Sequence, residues 1–107
     1  MPYKELTIEE KKKAAEYVLP VLNKFIGKSF AETVRIIANR DVWLEIKRRH
    51  EVSRHLVYGL LKDMTKKYNN KPILEEDPDH PYIFFTTKTN WNENKELIKK
   101  LYDVELP

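Results

Sequence analysis

The run Tyr82-Ile83-Phe84-Phe85-Thr86-Thr87 constrains this chain most. Six consecutive aromatic or β-branched residues read as a strand. The turn-forming residues Asp77-Pro78-Asp79-His80-Pro81 separate it from a second extended run, Pro72-Ile73-Leu74-Glu75. The two runs predict a hairpin. A two-stranded hairpin is not stable alone, so it must pack on helices. The expected fold class is α+β, mainly helical.

The rest of the chain has helical spacing. Thr7-Ile8-Glu9-Glu10 is a capping box that opens a first helix over 7–26. Ile8, Ala15, Val18, Leu19, Leu22, Phe25 and Ile26 form its apolar stripe. Pro20 predicts a kink or break in it, and Gly27 a C-cap. Ser29-Phe30-Ala31-Glu32 reads as a second capping box, with a helix to about Arg40 and Phe30, Val34, Ile37 and Ala38 inward. Asp41 is placed to cap a third helix, Val42 to Glu51, with Trp43, Ile46 and His50 inward. Ser53 is placed to cap a fourth, to about Tyr68, with Val57, Leu61, Met64 and Tyr68 as its stripe. Gly59 lies on that helix and permits close approach of another surface. Asn90 is expected to cap a last helix over 90–103, carrying Trp91, Leu97, Ile98, Leu101 and Tyr102.

Composition excludes several function classes. The chain has 107 residues, one domain's worth, with 41% hydrophobic and 35% charged residues. There is no Cys, which excludes disulfides and thiolate chemistry. Two glycines rule out a Gly-rich phosphate loop. No apolar run approaches the roughly 20 residues that span a bilayer, and the N-terminus lacks a signal peptide's apolar stretch. The expectation is a cytoplasmic or nucleoid-associated protein without a membrane partner. The net charge of +3 is unevenly spread. Residues 35–71 hold ten Lys or Arg against four acids, whereas residues 72–87 hold four acids and no Lys or Arg. A basic middle third is the footprint of a polyanion-binding surface.

Residues 30–88 resemble a winged helix-turn-helix DNA-binding domain. The residues that carry the likeness are Val52-Ser53-Arg54-His55-Leu56-Val57-Tyr58, then Leu61-Lys62-Asp63-Met64, then the aromatic strand Tyr82–Thr87 that ends in Thr and leads to a further helix. Small regulators of archaea, archaeal viruses and plasmids have this cast. The resemblance implies a winged-helix core over 29–88. The N-terminal helix, which carries more Leu, Val, Phe and Ile than one small contact would bury, is a candidate dimerisation element that the C-terminal helix could join; the alternative is that both complete a monomer core. It implies that helix 53–68 enters the major groove of double-stranded DNA. Ser53, Arg54, His55, Tyr58 and Lys62 would then face base edges, with Arg54 the best reader of guanine. Lys47, Arg48, Arg49, Lys66 and Lys67 would neutralise phosphates. A homodimer would set two such helices about one DNA turn apart. The implied function is a small transcriptional regulator acting by site occupancy, with no catalysis and no cofactor. A replication initiator would share the fold.

The acidic tip Glu75-Glu76-Asp77-Pro78-Asp79 departs from that pattern, because a wing lying along DNA usually brings Arg or Lys to it. It carries the alternative, a winged helix used for protein–protein contact through residues 75–79. Other candidates read as structural. His50 and His55 are five apart and do not stack on one helix face, so no metal site is expected from them or from His80. Glu75 and Glu76 point to opposite sides of a strand, a poor acid/base pair. Trp43 and Trp91 read as core or interface anchors rather than stacking platforms.

Overall fold

The structure is a computed structural model that describes residues 5–47 and 52–107. A long helix, α1 (Ile8–Lys28), opens the chain. Thr7 caps it with the reciprocal box expected, its hydroxyl accepting from the Glu10 amide while the Glu10 carboxylate accepts from the Thr7 amide. Pro20 does not break α1. Pro20 and Glu16, the residue whose carbonyl loses its donor, are both exposed, so water can satisfy that carbonyl. The helix also runs one residue past Gly27, with Ser29 as its C-cap.

The expected helix from Ser29 to Arg40 is instead a strand, β1 (Thr33–Ile37). Both residues of the apparent capping box serve other bonds. The Ser29 hydroxyl accepts from the Ala31 amide, and the Glu32 carboxylate accepts from the Thr89 amide. Phe30, expected inward, is fully exposed. Val34 and Ile36 alternate inward with period two, which suits the β-branched run Thr33-Val34-Arg35-Ile36-Ile37.

A π-helical segment, Ala38–Trp43, follows and runs into α2 (Leu44–Lys47). Asp41 therefore lies inside the helical turn rather than ahead of it. Its carboxylate accepts from the Ile37 amide at 2.8 Å and from Arg40 Nε at 3.1 Å. Ile46 is buried and Trp43 half-buried; His50 lies outside the described residues. The next helix, α3 (Arg54–Asp63), is capped by Ser53 as expected but ends five residues before Tyr68. The chain then turns so that the Ile73 and Leu74 amides both donate to the Met64 carbonyl. That turn buries Ile73 and Leu74 and shortens the expected strand 72–75 to β2 (Glu75–Glu76).

The strand β3 (Ile83–Thr87) pairs antiparallel with both others, in the sheet order β1-β3-β2. Ile36 lies opposite Phe84 and Val34 opposite Thr86, so these four share the buried face. Thr87, not Asn90, caps the helix that follows, α4 (Lys88–Glu93); its hydroxyl accepts from the Asn90 amide. Asn90 sits within α4 and donates to the carbonyls of Pro72 and Ile73. The terminal helix expected over 90–103 is thus two, α4 and α5 (Lys95–Tyr102).

The core is one cluster under the sheet and between α1, α3 and α5. Ala14, Ala15, Val18, Leu19, Leu22 and Ile26 of α1 are all buried in it. Most of the apolar face read as a dimerisation element is therefore covered by the chain's own α2, α3 and α5, while Ile8 of that stripe is exposed and Phe25 half-buried. Trp91 is buried in the same cluster, and its indole donates to Asn23 on α1 at 2.8 Å.

Candidate nucleic-acid interface

The exposed part of α3 is its first turn. Ser53, Arg54 and His55 are open to solvent; Leu56, Tyr58 and Lys62 are half-buried; Val57, Gly59, Leu60, Leu61 and Asp63 are buried. The Ser53 hydroxyl accepts from the Leu56 amide at 3.2 Å, which fixes where the helix begins. Farther along, Leu6 crosses the helix directly over Gly59. A Cβ built on Gly59 would lie 2.7 Å from Leu6 Cγ. The close approach expected at this glycine is thus made by the chain's own N-terminal segment.

The residues expected to read bases divide into two groups. Arg54 stacks over the Trp43 ring, its Cζ 4.4 Å from the ring centroid. Trp43 is held in turn by a bond from its indole N–H to the Val52 carbonyl, at 3.0 Å. Among the described residues no carboxylate forms an ion pair with Arg54 or His55. Tyr58 and Lys62, by contrast, face the hairpin. Tyr58 packs on Tyr82 and Phe84, with ring centroids 4.7 Å and 5.9 Å away. Its hydroxyl donates to Glu76 at 2.9 Å, and the Lys62 ammonium pairs with the same carboxylate. Burial pushes the Glu76 carboxyl up, but the bonds from Lys62, Tyr58 and the Tyr82 amide outweigh it and hold it below its ordinary value.

The expected phosphate contacts divide likewise. Arg48 and Arg49 lie outside the described residues, and of Lys47 only the backbone is described. Lys67 is exposed. Lys66 sits between two carboxylates, pairing with Glu5 and, at 3.3 Å, with Asp63. The Glu5 bond raises the Lys66 ammonium above its ordinary value, against a smaller lowering by burial.

The acidic tip is partly neutralised from within. Glu76 is engaged by Lys62 and Tyr58. Asp77 accepts from the Asp79 amide at 2.9 Å and lies 3.3 Å from His80 Nδ1. The Asp79 amide bond, more than His80, holds the Asp77 carboxyl below its ordinary value. Glu75 and Asp79 are left as the exposed carboxylates of the tip.

The sequence does not single out Asp63, yet the structure centres a polar cluster on it. Its carboxylate is buried and accepts from Tyr102 at 2.6 Å and from Tyr68 at 3.1 Å, with Lys11 at 3.0 Å. An acid on the apolar side of the helix, beside Leu60, Leu61 and Met64, is the signal that would have found it. Among the described residues no group of three or more His, Asp or Glu is placed to hold a metal ion. No helix among them is long and apolar enough to cross a membrane. Comparison of the chain with protein-family models, with curated proteins and with solved structures found no match.

Proposed function

We propose that this chain is a winged-helix protein that binds double-stranded DNA, acting as a small transcriptional regulator by occupying its site. The observation that carries the reading is the state of α3. Its Ser53-capped first turn is the exposed part, and it presents Arg54 and His55 without a carboxylate partner among the described residues. The N-terminal turn is the part of a recognition helix that meets base edges. Topology supports the same reading. The order α1, β1, a π-helical segment with α2, α3, then a hairpin, with β3 central in the sheet, is compatible with a winged helix. In this arrangement α1 is the first helix of the core rather than an accessory. A twofold dimer would need a face other than the buried stripe of α1.

The alternative, protein contact through the acidic wing, is less favoured. Two of the four wing carboxylates are engaged inside the chain, which leaves a patch of only Glu75 and Asp79.

Binding to a random duplex pool at two salt concentrations, with sequencing of the retained fraction, tests the proposal. Binding that weakens steeply with salt and enriches a motif is the expected result. Absence of binding at low salt overturns it. A palindromic motif would point to a dimer.

A further inference from the structure

We infer that Trp43 is a positioning residue for base reading, holding the Arg54 guanidinium flat so that its in-plane donors meet a guanine edge. The inference rests on the DNA reading above and narrows it to one side-chain pair. The other polar residues expected to read bases from the second and third turns of α3 are engaged: Tyr58 and Lys62 both bind Glu76. Arg54 contacts a ring instead of a carboxylate. That distinction matters chemically. A stacked guanidinium uses its face, while its five N–H donors lie in the plane and remain available at the edge. A salt-bridged one would have those donors occupied.

Both ends of the Arg54 side chain are fixed. Its backbone is the first residue of α3, set by the Ser53 cap. Its guanidinium lies on an indole that is itself bonded to the Val52 carbonyl, one residue before that cap. The same short segment, Val52-Ser53-Arg54, therefore sets the ring, the helix start and the arginine relative to one another. Rotamer freedom that an exposed Arg would lose on binding is already restricted in the free protein. The fork then matches the O6 and N7 acceptors of guanine.

The test uses the full chain and the duplex selected as above, with a scrambled duplex as reference. The readout is the ratio of the two affinities. Wild type should discriminate. Arg54→Lys keeps the charge but loses the planar fork; its ratio should fall about tenfold with an unchanged salt dependence. Trp43→Leu should lower the ratio about fivefold, and Trp43→Phe, which retains a ring face, should hold it within about twofold. Both Trp43 variants lose the bond to Val52, so a fall in thermal stability common to both does not mimic this pattern. In an Arg54→Ala background Trp43→Leu should lower the ratio no further. Equal losses in the Phe and Leu variants, or additive losses with Arg54→Ala, overturn the inference while DNA binding stands. A discriminating protein whose Arg54→Lys ratio is unchanged does the same, even where Trp43→Leu fails to fold. Wild type that binds without discrimination overturns the inference and the site-occupying regulator but leaves DNA binding, and wild type that binds no duplex at low salt overturns the DNA reading with them.

Discussion

Glu76 decides how much charge this surface presents. It lies opposite Phe84 in the register, on the inner face of the hairpin, while Glu75 lies opposite Phe85 on the outer one. The alternation expected of a strand therefore separates two adjacent acids into different roles. Glu76 takes the Lys62 ammonium and the Tyr58 hydroxyl; Glu75 is solvated. Within this pair the charges cancel, so neither the basic helix nor the acidic tip acts at its formal charge. Glu76→Gln keeps the shape and an acceptor for Tyr58 but releases the Lys62 charge. Duplex binding by the variant should tighten at low salt, and the slope of log affinity against log salt should steepen by about one. An unchanged slope would place Lys62 away from bound DNA. The half-buried setting of Tyr58 and Lys62 was not legible locally, because it depends on a carboxylate 14 to 18 residues away.

At the scale of elements, α3 is open at its start and covered at Gly59 by Leu6. Gly59 makes that possible, since any side chain there would meet Leu6 Cγ at 2.7 Å. Leu6 is itself buried and has little room to yield. Gly59→Ala improves helix propensity by about 1 kcal/mol. Overpacking against Leu6 opposes this by about 1–3 kcal/mol. The net expectation is a loss of stability in chemical denaturation, which reverses to a gain in a Leu6→Ala background. A gain in the wild-type background would show that segment 5–7 lifts off α3 freely. Two of the five expected helix caps were legible: Thr7 and Ser53 cap as their spacing predicts, whereas Ser29, Asp41 and Asn90 do not; the turn at 77–81 and the strand after it stand where expected. Segment 29–40 was misread because two periods compete there. Val34, Ile37 and Ala38 fit a helix, while Val34, Ile36 and Ala38 fit a strand. Pairing with β3, some 50 residues away, decides between them.

For the whole molecule, Asp63 ties together parts that are far apart in sequence. Lys11 comes from α1, Tyr68 from the turn after α3, Tyr102 from the end of α5, and Lys66 brings Glu5 with it. Burial alone would push the Asp63 carboxyl up. Hydrogen bonds from Tyr102 and Lys11, the Lys11 charge and the Tyr68 bond outweigh burial and hold it below its ordinary value of 3.8. The same carboxylate acts on Tyr68 in the other direction. Burial first, then the Asp63 charge, push the phenol up to about 12, so Tyr68 keeps its proton as donor throughout the neutral range. A carboxyl lowered in the folded state stabilises the fold above its unfolded value and loses that contribution as the pH falls through the folded one. Stability should therefore be steady above about pH 5 and decline below about pH 4. Asp63→Asn removes the charge from a buried site that two lysines and two phenols converge on. It should cost about 3 kcal/mol at neutral pH. The variant should also flatten the acid limb, because the group whose protonation drives that part of the decline is gone. Urea unfolding of both proteins between pH 3 and 7 separates this from a packing defect. A packing defect lowers the variant's curve by the same amount at every pH, whereas loss of the charge makes the two curves converge as the pH falls.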